Sequence, residues 1–308
     1  MTTVPETFRT CPPHWFWFTS YNLILHLLAV LLRWRSRWNS DLNEAFEGRR
    51  GIWNRLEQAL AERCWEQPLI WFHVASAGEW LQAQPVIKRC AAQGAQCFLT
   101  YSSINARRWF ERREESPAEL LAHDFLPLDR PTSAYRLLGL IQPSRIVWVS
   151  YDLWPNLVWA ASRRGIPQLL ISGIVHASSQ RNKGRLTRLF YRNIYRCLEG
   201  MYMVSEADRD RIARVVPEHP GLSVMGDTRF DSVLERRDQL SEPVWPDGFG
   251  KGTLLVAGST WPKDEECIFP VFKEVLKNFP ELQLVIVPHE PTGEHLKNAE
   301  GFFTEFPM

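Results

Sequence analysis

Pro68-Leu-Ile-Trp-Phe-His-Val-Ala-Ser-Ala-Gly-Glu-Trp80 is the stretch that decides the fold class. Leu69 to Ala75 is an apolar run of the length of a buried strand. It breaks into small residues and then meets a single carboxylate, Glu79. Beyond Trp80, the residues Leu81, Val86, Ile87 and Ala91 recur at helical spacing as far as Gly94. The pattern predicts strand, tight turn and helix, with an acid at the C-terminal end of the strand, where open α/β sheets hold their ligands.

The same alternation repeats downstream. Apolar runs at Ala95–Ser103, Asp124–Asp129, Arg145–Asp152 and Gln168–Ile174 are separated by helical segments at Ile104–Glu115, Pro131–Leu140 and Trp154–Arg164. Gly200–Glu206 and Leu222–Asp227 read as further strands. Runs of five or six apolar residues between helices predict a parallel sheet covered on both faces. A new unit is expected from Gly226. A Pro-, Gly- and acid-rich stretch at Asp238–Gly252 leads to a strand at Thr253–Thr260, a helix at Glu265–Phe279 and a strand at Leu282–Val287.

With 308 residues, 45% hydrophobic and 23% charged, the chain has room for two folded domains. A formal charge of +1 gives no bulk attraction to nucleic acid. The six cysteines, Cys11, Cys64, Cys90, Cys97, Cys197 and Cys267, form no C-x-x-C pair and have no histidine at ligand spacing, so isolated thiols are expected and no metal site.

Trp15 to Leu32 contains no Asp, Glu, Lys or Arg, begins in aromatics and is closed by Arg33, Arg35 and Arg37. This segment reads first as a membrane-spanning helix that keeps the rest of the chain in the cytoplasm. A helix lying in the interface, or a core helix, is the alternative, because Asn22 and His26 interrupt the apolar run. Residues 38–67 read as a polar connector with helical segments.

Three constellations could carry chemistry. Ser76 followed three residues later by Glu79 fits both a capping box and a general base facing a cleft. Gly258-Ser-Thr260 after a strand and before a helix offers amides and hydroxyls to a phosphate. Arg185, Arg188, Arg192 and Arg196 share one helical face, with Leu186, Leu189, Phe190 and Ile194 on the other; such a face is either solvated or in contact with anionic headgroups. Asp208-Arg-Asp210 reads as a solvated helix face.

In order along the chain, Trp71-Phe-His-Val-Ala-Ser-Ala-Gly-Glu79, Leu126-Pro-Leu-Asp129, Tyr151-Asp-Leu-Trp-Pro-Asn156, Val204-Ser-Glu-Ala-Asp208, Gly226-Asp-Thr-Arg-Phe-Asp231, Val256-Ala-Gly-Ser-Thr260 and Val287-Pro-His-Glu-Pro291 resemble the 3-deoxy-D-manno-octulosonic acid (Kdo) transferases of lipopolysaccharide synthesis. The resemblance implies a GT-B glycosyltransferase of two Rossmann-like lobes. It implies an N-terminal tail and membrane anchor over 1–40, an acceptor lobe over 41–225 and the start of a donor lobe over 226–308. It further implies metal-independent, inverting transfer of Kdo from CMP-Kdo to the lipid A precursor (lipid IVA) on the cytoplasmic side of the bacterial inner membrane, without a cofactor. Glu79 would be the base, with Asp152 as a further acid. Gly258, Ser259, Thr260, Pro288, His289 and Glu290 would hold the donor. Ser76, Gly78, Arg185, Arg188 and Arg192 would face the acceptor or the membrane.

The chain departs from the family pattern in three places. Ser150-Tyr-Asp152 stands where Glu-Thr-Glu is common, Trp261 follows Gly-Ser-Thr, and His289-Glu290 lies between the two prolines. The family's second lobe also continues with a glycine-rich turn and an Asn-x-x-Glu motif, so the sequence reads as C-terminally truncated. Two alternatives stay open: an inactive, membrane-associated acceptor-binding fragment, or a GT-B enzyme using another nucleotide sugar.

Overall fold

The computed structural model describes residues 14–112, 117–179, 184–239, 249–250, 252–289 and 291–304. It divides into two compact units, one running to Asp238 and the other starting at Gln239.

The first unit is built on β1 (Leu69–Val74), β2 (Gln96–Tyr101), β3 (Leu120–Phe125), β4 (Arg145–Val149), β5 (Gln168–Gly173), β6 (Gly200–Met203) and β7 (Leu222–Val224). These strands form one sheet in the order β3-β2-β1-β4-β5-β6-β7, and every pairing is parallel. The order reverses between β1 and β4, so loops from both strands open onto the crevice where such sheets bind ligands.

Helices α1 (Trp15–Arg35), α2 (Ser40–Glu47) and α3 (Ile52–Ala59) precede the sheet. Interleaved with its strands are α4 (Ala77–Ala92), α5 (Ile104–Glu111), α6 (Pro131–Ile141), α7 (Pro155–Arg163), α8 (Arg185–Tyr195) and α9 (Glu206–Ala213), and α10 (Arg229–Gln239) follows. Leu69, Trp71, Phe72 and Val74 of β1 are wholly buried, as expected of a central parallel strand whose two faces are both covered.

Four expectations need correction. The third strand is Leu120–Phe125, not Asp124–Asp129: Pro127 has no N–H to give a ladder, and β3 pairs with β2 through Leu120 to Phe125. The border between units falls after Asp238, not at Gly226. Residues 227–235 are tied to α4 by Gln82 Nε2 donating to Asp227 (2.9 Å), Thr228 Oγ1 to Gln82 O (2.7 Å), Ser232 Oγ to Leu81 O (2.6 Å) and the Lys88–Glu235 pair (2.7 Å).

Asp208 is buried rather than solvated. Its carboxylate accepts the amide of Val175 (2.9 Å) and the hydroxyl of Ser205 (2.5 Å) and pairs with Arg211 (3.2 Å). On α8, Leu186 and Leu189 are exposed alongside Arg185 and Arg188, while Phe190 packs inward and Ile194 is buried.

Helix α1 docks on this unit along a half-buried stripe that includes Phe18, Tyr21, Asn22, Leu25 and Ala29. The Tyr21 hydroxyl donates to Asp129 (2.9 Å), and the amides of Asn22 and Asn156 exchange hydrogen bonds of 3.0 and 2.9 Å. Rings of Phe18 and Tyr21 pack on Trp159, and those of Trp17 and Tyr21 on Phe190. Of the two polar residues that interrupt the apolar run, Asn22 is a tie to the sheet unit and His26 is exposed.

The second unit holds β8 (Leu254–Thr260) and β9 (Gln283–Pro288), paired in parallel, with α11 (Pro262–Leu276) and α12 (Gly293–Phe302). Phe269 and Phe272 of α11 pack against Phe303, and Phe269 against Phe302.

Candidate active site

Ser76 caps α4: its hydroxyl accepts the amide of Glu79 at 3.3 Å. The Glu79 carboxylate reaches back and accepts the amide of Ala75, one residue earlier than the amide used in the usual capping box. The cap is thus present with its second contact shifted by one residue. Only 5% of Glu79 is exposed, and burial pushes its carboxyl up from an ordinary 4.5 to about 7. The Ala75 amide opposes the shift, the charge of Asp152 adds to it, and Arg229 draws it back. A cap without other duties gains nothing from such burial, whereas a base working near neutral pH does.

Asp152 follows β4, the neighbour of β1 at the reversal point. Its Oδ2 receives His73 Nε2 (3.1 Å), Ser102 Oγ (2.8 Å) and Trp154 Nε1 (3.1 Å). Burial alone would raise this carboxyl, but hydrogen bonds from His73, Ser102 and Trp154 bring it below its ordinary value. The Thr100 hydroxyl accepts from Trp71 Nε1 (2.8 Å), which leaves its proton for His73 Nδ1 (2.8 Å). His73 then carries its proton on Nε2, facing Asp152. This arrangement holds Asp152 as a fixed negative charge beside Glu79.

Sequence reasoning passed over His73, Ser102, Trp154 and Arg229. One signal was available: His73 is a polar residue in the middle of an otherwise apolar buried strand, and such a side chain needs partners. Ser150, between β4 and Asp152, has φ = 62°, a left-handed conformation that costs a non-glycine residue energy. Gly78 has room for a methyl group, the nearest atom being Ser76 Oγ at 3.7 Å, so the fold itself does not demand glycine there.

In the second unit the structure brings together Ser259, Thr260 and His289. Ser259, at φ = 61°, shares a 2.7 Å hydrogen bond with His289 Nδ1, and the His289 amide donates to Thr260 O at 2.9 Å. Trp261 stacks on His289 with centroids 4.5 Å apart. Gly258 pairs with Val287 in the ladder and Pro288 closes β9. The Thr260 hydroxyl points away from this surface, into a buried bond to Glu265 (2.7 Å), so it is a strut and not an open phosphate ligand. Glu290 lies outside the described residues, as does Cys11. Arg185, Arg188 and Arg192 lie on α8, whose Phe190 packs on α1. Among the described residues no group of three His, Cys, Asp or Glu is placed to hold a metal ion.

Residues 45–232, which include Glu79, Asp152 and the whole β1–β4 crevice, match the family described as 3-deoxy-D-manno-octulosonic-acid transferase (kdotransferase). The chain belongs to that family. A Kdo transferase of Haemophilus influenzae is 24% identical over 256 residues, covering 77% of this chain and 57% of its own length. One from Chlamydophila psittaci is 28% identical over 231 residues, 72% of this chain and 51% of its own. The chain spans about half the length of the curated relatives it matches. Among solved structures, a UDP-GlcNAc 2-epimerase from Neisseria meningitidis bound to UDP-GlcNAc superposes with a TM-score of 0.58 at 14% identity, over 78% of this chain and 70% of that one. That likeness shows the α/β fold of GT-B type, and the fold alone.

Proposed function

We propose that the protein transfers Kdo from CMP-Kdo to the lipid A precursor with inversion, and that Glu79 is the general base. The observation that carries this reading is a carboxyl buried at the C-terminal end of β1, at the reversal of the sheet, and raised to about 7. Ionised Glu79 takes the proton of the acceptor hydroxyl as that oxygen attacks the anomeric carbon of Kdo. The bond from that carbon to the CMP phosphate oxygen breaks, CMP leaves as an anion, and the proton on Glu79 passes to water. Asp152 touches none of these atoms in this reading; it tunes Glu79 as a positioning residue. Ser259, Pro288, His289 and Trp261 form the surface offered to the cytidine nucleotide, with Gly258 beside it. Gly78 leaves space for the acceptor next to the base.

The domain assignment follows the same reading: the unit up to Asp238 takes the acceptor and the unit beyond it belongs to the donor side. Exposed apolar residues on α1 and the arginines that close it support attachment to the cytoplasmic face of the bacterial inner membrane.

The test is CMP release from CMP-Kdo in the presence of lipid A precursor, measured on the product of the whole reading frame. Glu79→Gln should lose at least a hundredfold in kcat, the scale of general-base catalysis. Undiminished turnover in Glu79→Gln would remove the base assignment, and transfer from a uridine sugar but not from CMP-Kdo would replace the donor.

A further inference from the structure

Gly226-Asp-Thr-Arg-Phe-Asp231 leads from the edge strand of the sheet, across the C-terminal ends of its neighbours, back to the helix that carries Glu79. Leaving β7, the amides of Met225 (2.8 Å) and Gly226 (3.3 Å) donate to Met203 O at the end of β6. Gly226 turns the chain at φ = 95°, in the left-handed region that glycine enters at least cost. The Thr228 amide then donates to Ser172 Oγ near the end of β5 (3.3 Å), and the Thr228 hydroxyl to Gln82 O on α4 (2.7 Å). Gln82 Nε2 and the Arg229 amide both donate to Asp227 Oδ1, each at 2.9 Å. Glu79 and Gln82 stand three residues apart on α4 and share a face. Ties to α4 therefore fix residue 229, the first of α10, on the side of the helix that holds the base.

Arg229 is exposed, and its guanidinium forms no ion pair or hydrogen bond among the described residues. Its charge nevertheless acts on the Glu79 carboxyl. A guanidinium beside the base, with no counter-charge of its own, is open to an anion, and its planar fork matches a carboxylate. The transfer reaction brings one such group to that place. Kdo is an ulosonic acid, and its carboxylate is bonded directly to the anomeric carbon. The acceptor oxygen stands about 3 Å from the base and about 3 Å from the anomeric carbon, so the sugar carboxylate comes within two such steps of Glu79. Two carboxylates at that distance oppose each other's ionisation, and a cation between them relieves the conflict. The CMP phosphate is the less suitable anion here, because inversion sends the leaving group out on the face opposite the attacking oxygen.

We propose that Arg229 binds the carboxylate of the transferred sugar in a forked contact and so selects an acidic sugar as donor. This rests on the reading of CMP-Kdo as the donor and adds the residue that recognises it. Arg229 takes part in no bond that forms or breaks. It holds the carboxylate so that the anomeric carbon faces the acceptor hydroxyl, and it screens that charge from ionised Glu79. A neutral sugar leaves the guanidinium without a partner.

The experiment is calorimetric titration of the product of the whole reading frame with CMP-Kdo, with its carboxamide analogue and with CMP, run beside the transfer assay. The wild type should bind CMP-Kdo about tenfold to a hundredfold more tightly than the carboxamide, the range for a hydrogen bond to a charged group. Arg229→Gln should bind the two donors alike, at the strength of the carboxamide, and should bind CMP as the wild type does. Arg229→Lys keeps the charge without the fork and should restore part of the preference. Both variants keep the backbone amide that ties residue 229 to Asp227, so the fold is retained. A wild-type preference that survives in Arg229→Gln would overturn the proposal. So would a loss shared equally by CMP, which would put the guanidinium on the phosphate instead. A wild type that transfers Kdo yet binds both donors equally overturns the proposal and leaves the donor reading standing. An Arg229-dependent preference in a protein whose Glu79→Gln variant turns over undiminished keeps the proposal and removes the base. A wild type that binds neither donor overturns both.

Discussion

Replacing Glu79 by glutamine separates a working base from a helix cap, because the two roles predict opposite effects on stability. The Glu79 carboxyl has an ordinary value of 4.5 and stands near 7 in the folded chain, with burial the largest cause. The sign follows from linkage. Below about pH 4.5 the group is protonated in both states and costs nothing. As pH rises towards 7 the unfolded chain ionises first, and folding increasingly holds back that ionisation. Above pH 7 the penalty is complete, and at about 1.4 kcal/mol per pH unit it amounts to about 3 kcal/mol. The glutamine side chain has nothing to ionise, and its carbonyl can still accept the amide of Ala75. Glu79→Gln should therefore be more stable than the wild type at pH 8 by up to about 3 kcal/mol and unchanged at pH 4.5. Urea denaturation at several pH values, followed by the near-ultraviolet signal of the buried tryptophans Trp71, Trp80 and Trp148, reads this directly. If the variant is less stable than the wild type at pH 8, Glu79 is ionised at no cost, its carboxylate is simply a cap, and the argument for a base is lost.

The neighbours of Glu79 make further predictions. Asp152→Asn removes the negative charge that raises Glu79, so the acid limb of the kcat/KM profile should move to lower pH; a limb that stays in place would detach Asp152 from the base. Arg229→Ala removes the charge that draws Glu79 back and should move the same limb to higher pH, measured in the same assay. Ser76→Ala deletes the cap bond to the Glu79 amide and should cost about 1 kcal/mol in urea denaturation at any pH between 5 and 8. Asp129→Asn weakens a carboxylate that caps α7 through the amides of Asn156 (3.0 Å) and Leu157 (3.1 Å) and takes the Tyr21 hydroxyl. It should cost about 1–3 kcal/mol at pH 7 and increase proteolysis at α1; stability within about 0.5 kcal/mol of the wild type would show that the clamp is idle.

The strand, turn and helix around Glu79 were legible because a central parallel strand must be apolar on both faces, which leaves an uninterrupted run in the sequence. The lone carboxylate after that run stands out for the same reason. The cluster around Asp152 was not legible, since residues 73, 102, 152 and 154 meet only through the pairing of β1 with β2 and β4. The third strand was misplaced because Asp124-Phe-Leu-Pro-Leu-Asp is apolar enough for a strand, while the residues that pair, Leu120 to Asp124, include His123 and Asp124 and look polar. Asp208 looked solvated because its partner, the amide of Val175, lies 33 residues away. The docking of α1 was hidden in the same way: Tyr21 and Asn22 find their partners 108 and 134 residues later, and in the sequence they are only blemishes on an apolar run.

Those distant ties give α1 a structural connection to the crevice. Asp129 binds Tyr21 on one side and the first amides of α7 on the other. The segment that leads into α7 is Asp152-Leu-Trp154, and it carries both the carboxylate and the indole that meet His73. Moving α1 therefore strains the end of α7, and through it the segment that fixes Asp152. Asp129 is nearly inaccessible, and burial raises its carboxyl to about 6, so its negative charge persists at neutral pH only because donors surround it. Withdrawing the Tyr21 hydroxyl removes one of those donors, which makes protonation of Asp129 easier and weakens its grip on the α7 amides. In this fold the docking of α1 and the placement of the Asp152 carboxylate share a single buried strut.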